Sequence, residues 1–513
     1  MDNNTHQRGV TGATLVDSSP PESPSAVSDA TRIGSSSIGE NIIPPEHPYR
    51  TLVLCFDGTG DQFDSDNSNI VELFTMLKKD DRSKQMVYYQ AGIGTYTTPQ
   101  VATPFMAKIS KTLDEMIAWN LHSHVMGGYE FLMQNYEAGD RICIFGFSRG
   151  AYTARSLAGM VHKVGVLPAC NHQQVPFAYK MYTREDQLGW EQSNAFKKAF
   201  SIDADIEFLG VWDTVNSVGL IPKRLPFTTS NNHVRTFRHA VSLDERRAKF
   251  KANLWNHPTE HEAKLGLQRK RHHHTRAEPH EEASASSKSH SQSHHSGHKN
   301  TLKALERKFS KDGNLPTDIE EPNLARIPLR WMIRECFKTN TGIMFDADLL
   351  KDFGMDPDTL YPNVLSRPPA FPVGSGHFIR NIPASSSTSQ TQNAPDDSRD
   401  GGVNATATSN SRPTEEELEL ADALSPVYDQ LSLAWFWWVL ELLPIRMRHQ
   451  RDDDSWADYF GWNLGRGRSI PKQTKQGVKV HRSVKMRMEA TYENGGRYVP
   501  KASFDERYTT WVD

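Results

Sequence analysis

The pentapeptide Gly146-Phe147-Ser148-Arg149-Gly150 carries the clearest chemical signal in this chain. It follows an apolar run, Ile142-Cys143-Ile144-Phe145, and leads into the helical pattern Ala151-Tyr152-Thr153-Ala154-Arg155-Ser156-Leu157. A serine at a sharp strand-to-helix turn is forced into a strained backbone conformation, and flanking residues without Cβ relieve the crowding. Ser148 Oγ would then stand above a sheet edge at a helix N-terminus, where negative charge is stabilised. That arrangement suits a nucleophile attacking a carbonyl carbon; a merely structural turn is the alternative. The Arg149 backbone N–H would supply one oxyanion donor. A second is expected from Asp57-Gly58-Thr59-Gly60, where Gly58 and Thr59 could bring N–H groups close, although an ordinary glycine turn reads the same way.

A serine nucleophile needs a base, and the base needs an orienting carboxylate. In the chain order Ser, acid, His, the carboxylate falls to Asp213, which ends Asp205-Ile206-Glu207-Phe208-Leu209-Gly210-Val211-Trp212. Helix capping is the other use for an Asp there. Histidines after Asp213 and outside the polar stretches include His233, His239, His377, His449 and His481. His481 follows the short β-type run Val478-Lys479-Val480 and is taken as the base, with His239 as the alternative. A packed or solvated histidine is the commoner fate of each. This chemistry calls for no metal and no cofactor. A rival reading makes Asp57, with Asp61, Asp64 and Asp66, the acidic Mg²⁺ site of a phosphohydrolase. Such sites usually flank one residue with two aspartates at the strand end, whereas Cys55-Phe56 precede Asp57 here.

Short β-type runs must position these residues. Arg50–Phe56, Gln85–Tyr89, Asp140–Phe145 and Asp205–Trp212 alternate with helix-length segments such as Ile109–Gln134 and Ala151–Val164. Strands apolar on both faces and separated by helices predict an α/β fold, a mostly parallel sheet covered by helices on both sides. Its chemistry should gather at the carboxyl ends of the strands.

The chain has 513 residues, with 59 Lys and Arg against 62 Asp and Glu. That near-neutral balance argues against a nucleic-acid binder. Four cysteines in such a length exclude a disulfide scaffold. The N-terminus lacks the apolar core of a secretory signal. No apolar run of about 18 residues appears, so the expectation is a cytoplasmic protein, peripheral to membranes if it meets them. Residues 1–48 are Ser- and Pro-rich and too polar to order. The catalytic core is expected over 49–256. A His- and Ser-rich insertion follows over 257–321, with eight of the 21 histidines between 272 and 298. It reads as a solvated linker rather than a metal site, since ligands on a tether lack supporting hydrogen bonds. Residues 322–383 read as a helical continuation, 384–414 as a second polar linker, and 415–513 as an aromatic-rich helical part of the same domain.

Four motifs occur in order: Phe56-Asp57-Gly58-Thr59, Gly146-Phe147-Ser148-Arg149-Gly150-Ala151, Gly210-Val211-Trp212-Asp213-Thr214-Val215, and His239-Ala240-Val241-Ser242-Leu243-Asp244-Glu245-Arg246-Arg247. Together they resemble the α/β-hydrolase-like family that includes the bacterial type VI secretion phospholipase effectors, whose uncharacterised fungal members often carry long polar insertions. The likeness is strong over residues 48–250. It implies ester hydrolysis on a lipid or small ester, plausibly a phospholipid, with Ser148 as nucleophile and Asp213 as its acidic partner. It names no protein partner. The family's later Trp-Phe-x-Gly-x-His-x-Asp-Val-Gly-Gly-Gly element, whose His serves as base, has no match here. Thr317-Asp318-Ile319-Glu320-Glu321 resembles the approach to that strand, yet Pro322–Trp331 resembles the helix beyond it. A deletion at this junction would remove a core strand and the base, and would leave a weakly active or inactive enzyme. A non-catalytic scaffold built on the hydrolase fold is the alternative function.

Leu431-Ser432-Leu433-Ala434-Trp435-Phe436-Trp437-Trp438-Val439-Leu440-Glu441-Leu442-Leu443 is the most apolar stretch. A helix buried against the sheet is the favoured reading. The alternative is a lid or an interfacial helix, with Arg446, Arg448 and Arg451 toward anionic headgroups.

Overall fold

The computed structural model describes residues 41–58, 67–92, 106–215, 225–228, 234–255, 322–374, 376–380, 413–435, 437–451, 455–471 and 477–513. The predicted insertion 257–321, most of the second linker, and His233, Thr59, Asp61, Asp64 and Asp66 lie outside them.

In chain order the first elements are β1 (Ile42–Ile43), β2 (Thr51–Phe56), α1 (Asn69–Met76), β3 (Gln85–Gln90), α2 (Met106–Asn135), β4 (Arg141–Phe147) and α3 (Ser148–Val164). They continue with α4 (Val175–Thr183), α5 (Gln187–Phe200), β5 (Ile206–Trp212), β6 (Val234–Ala240), α6 (Arg326–Lys338), β7 (Phe345–Asp346), α7 (Ala347–Asp352) and β8 (Phe378–Ile379). The last are α8 (Glu415–Ala423), α9 (Gln430–Leu433), α10 (Trp437–Glu441), β9 (Ile445–Gln450), β10 (Trp456–Gly461), β11 (Val478–His481), α11 (Arg482–Glu489), β12 (Thr491–Tyr492) and β13 (Thr509–Val512).

A five-stranded sheet in the order β3-β2-β4-β5-β6 forms the centre, and every neighbouring pair is parallel. Alternate residues of each strand feed different cores. Leu52, Leu54, Phe56, Ile142 and Ile144 face one way, onto Val125, Tyr129 and Leu132 of α2 and Ala154, Leu157 and Val161 of α3. Val53, Cys55, Cys143 and Phe145 face the other, onto Ile70 and Leu73 of α1 and Leu329, Met332 and Ile333 of α6. All six residues of β2 are buried, as a strand covered on both faces must be. This is the doubly covered α/β architecture expected from the sequence. Cys55 and Cys143 act there as small apolar side chains, and burial pushes both thiols up.

Four features depart from the sequence reading. Strand β6 was not anticipated, because Val234-Arg235-Thr236-Phe237-Arg238-His239-Ala240 intersperses charges among its apolar residues. Among the described residues β6 pairs with β5 alone, and most of its length is only half-buried. Ile42 and Ile43, within the stretch read as too polar to order, pair antiparallel with Asp346 and Phe345. The part read as helical, 415–513, also supplies the antiparallel pair β9–β10 and the parallel pair β11–β13. Its apolar segment is not buried against the sheet: Trp435 is 79% exposed.

Candidate active site

The turn between β4 and α3 is built by two close approaches. A Cβ on Gly150 would lie 2.2 Å from Phe56 O and 2.3 Å from Asp57 O, and one on Gly146 would lie 2.6 Å from Gly150 O. Only glycine fits at either position. Between them Ser148 takes φ +54°, a conformation that L-residues seldom adopt. It opens α3 directly from the buried strand, is 9% exposed, and its hydroxyl has no hydrogen-bond partner among the described residues. Arg149 stands in the first turn of the same helix, where the macrodipole favours negative charge.

Asp213 follows β5 as Ser148 follows β4. Phe147 and Trp212 are register partners, so the two residues leave adjacent strands at the same sheet edge. Asp213 also has a positive φ, +46°. Two non-glycine residues in this region at neighbouring strand ends mark stored strain, which concentrates at functional sites. The Asp213 carboxylate is held through Oδ1, which accepts from Ser242 N–H at 2.7 Å and from Arg468 Nη1 at 2.6 Å. Arg468 is 3% exposed and also donates to Ser242 O and, through Nε and Nη2, to Phe250 O. No sequence pattern marks this arginine, 255 positions beyond its partner.

Neither candidate histidine reaches Ser148 or Asp213 within hydrogen-bonding distance. His239 lies on β6 opposite Val211 and accepts the Thr214 N–H at Nε2, 3.2 Å. The nitrogen that could take a proton is thereby engaged by backbone. Burial, reinforced by the Arg155 and Arg468 guanidiniums, holds its pKa well below the usual histidine value. His481 is the N-cap of α11: its Nδ1 accepts from Ser483 N–H, and its Nε2 lies 3.6 Å from the buried Glu419. Burial pushes it down to about 4, although Glu419 opposes the shift. Of the others, His377 accepts the Gly374 N–H of its own turn, and His449 packs edge-on against Tyr459.

The Gly58 N–H, expected as an oxyanion donor, is engaged by Asp57 Oδ1 at 2.7 Å. That oxygen also accepts from Ser68 Oγ at 2.7 Å, while Oδ2 accepts from Tyr89 OH at 2.8 Å. Asp57 therefore ties the end of β2 to α1 and β3. Its three hydrogen bonds give it a structural task that the phosphohydrolase reading did not anticipate.

A cavity of about 850 Å³ opens at the carboxyl ends of β4, β5 and β6. Phe147, Trp212, Asp213, His239 and His481 line it, with Trp331 of α6. An apolar cavity with a few convergent polar groups at a parallel sheet's carboxyl edge is where a ligand would be held.

Parallel order, two helical layers, a glycine-flanked serine turn and an edge cavity together define an α/β-hydrolase-like protein. The family model for the catalytic domain of Tle1-like type VI secretion phospholipase effectors matches residues 50–335, more than half of the chain, and the chain belongs to that family. It is 40% identical over 229 residues to uncharacterized protein YEL023C of Saccharomyces cerevisiae, covering 41% of this chain and 34% of that protein. The chain thus spans about a third of that relative. Two solved structures are similar at a TM-score of 0.21 each. One is an uncharacterized protein from Pseudomonas aeruginosa, 16% identical, with 40% of this chain and 36% of that one covered. The other is the Tle1 effector bound to the VgrG spike of the type VI secretion system, 17% identical, with 40% and 48% covered.

Proposed function

We propose that this chain is a serine-type carboxylic-ester hydrolase whose substrates are phospholipids, working at a membrane surface on the cytoplasmic side. The observation that carries the proposal is Ser148 at φ +54° between two sterically obligatory glycines at the end of a buried parallel strand. In the proposed reaction Ser148 Oγ bonds to the ester carbonyl carbon and loses its proton to a base. The oxyanion forms at the N-terminus of α3, where Arg149 N–H would donate. The alcohol leaves with a proton, and water then splits the acyl-enzyme. Gly58 N–H could join as a second donor only by leaving Asp57 Oδ1.

Turnover is proposed to be low. Asp213 is paired with Arg468 where a triad carboxylate would orient a histidine, and among the described residues β6 pairs with β5 alone. The same pairing favours a second reading, a non-catalytic lipid-binding or scaffold protein on the hydrolase fold. Fatty-acid release from phospholipid micelles in EDTA separates the two. Release is expected from the wild type and not from Ser148→Ala; equal release from both, or none from either, rejects the hydrolase.

A further inference from the structure

We infer that the surface formed by α9, α10 and the open end of the β9–β10 pair is a docking face for a phospholipid bilayer. The inference takes its choice of partner from the phospholipid reading above, and its geometry from different residues. The segment from Leu431 to Leu443 is fastened from beneath. Leu431 is buried, Trp438 Nε1 donates to Leu431 O at 2.8 Å, and Trp437 packs edge-on against Phe250. Its one acid, Glu441, is turned inward at 1% exposure. The Glu441 carboxylate accepts from Ala248 N–H at 2.6 Å, Gly465 N–H at 2.8 Å and the Asn463 amide.

What remains outside is apolar. Trp435, Val439, Leu442 and Leu443 are exposed, and so are Phe460, at 74%, and Trp462, at 56%. The two groups adjoin. Leu464 N–H donates to Glu441 O, and β9 begins two residues after Leu443. Phe460 lies opposite Arg446, at the end of the strand pair beside α10. Monomeric proteins seldom expose such a contiguous patch without a partner for it.

Three features select a bilayer as that partner. Tryptophan and phenylalanine on a short, non-spanning element suit the headgroup boundary; among the described residues no helix is long and apolar enough to cross a membrane. The charge is complementary: the segment's acid is withdrawn and the exposed Arg466 stands close by, whereas Arg446 is already ion-paired with Asp458 at 3.0 Å. The face also adjoins the cavity lining in the chain. Tyr428, exposed and two residues before α9, lines the cavity.

The test is vesicle flotation of the full chain, with phosphatidylcholine alone and with added phosphatidylserine. Wild type is expected to float, more strongly with the anionic lipid. Trp435→Glu/Phe460→Glu should lose at least about tenfold in vesicle partition. These side chains are exposed, so thermal stability and hydrolysis of a soluble short-chain ester should match wild type. Flotation of the double variant equal to wild type overturns the inference, as does a wild type that stays at the bottom of the gradient. A variant that instead converts a wild-type dimer to monomer shows that a second copy covers the face. Ser148→Ala should still float; a protein that floats but releases no fatty acid keeps the docking face and rejects the hydrolase.

Discussion

Purified protein is expected to hydrolyse a short-chain nitrophenyl ester about 10⁶-fold more slowly than ordinary serine esterases. The magnitude follows from what the site contains and what it lacks. A strained serine at a helix N-terminus retains binding and oxyanion stabilisation, which survive loss of the other triad members. Proton removal from Oγ does not survive it. His239 offers Nε2 to the Thr214 N–H, and His481 caps α11 with Nδ1. Asp213 holds Arg468, which donates but accepts no proton. A rate equal to that of ordinary serine esterases would mean that a base reaches Ser148 in solution.

Gly150→Ala is expected to cost about 3 kcal/mol or more, because the added Cβ would meet the backbone oxygens of Phe56 and Asp57. Neither oxygen can swing aside, since Phe56 ends the buried strand β2 and Asp57 follows it directly, its N–H donating to Gln90 O at 2.9 Å. In a domain of this size such a loss lowers Tm by roughly 4 °C. Gly461→Ala is the matched control: its Cβ would come no closer than 3.9 Å to a neighbour, and Tm should stay nearly unchanged. Thermal unfolding of the two variants beside wild type measures the difference. Equal Tm values would mean that α3 does not press against β2 as closely as described.

The central fold was legible because its strands are apolar on both faces and its helices amphipathic on one. β6 was missed for the corresponding reason: a half-buried strand tolerates Arg235 and Arg238, and their charges interrupt the apolar run by which strands are recognised. The glycine-flanked serine turn could be read locally, since Gly146, Ser148 and Gly150 are neighbours in the chain. Asp213 could be placed through its strand end. Its actual companion could not, because Arg468 arrives through tertiary packing from a Gly-Arg-Gly-Arg loop with no pattern of its own. Composition misjudged the Trp-rich segment for a related reason. An apolar stretch reads alike whether it faces a core or a bilayer, and only the inward turn of Glu441 reveals which side is covered.

The most direct test of the account is reaction of the folded chain with a fluorophosphonate, followed by mass-spectrometric mapping of the adduct. The account predicts a single slow modification at Ser148, absent from Ser148→Ala and insensitive to EDTA. An unmodified Ser148, under conditions that fully label a control serine esterase and after prolonged incubation, would contradict it.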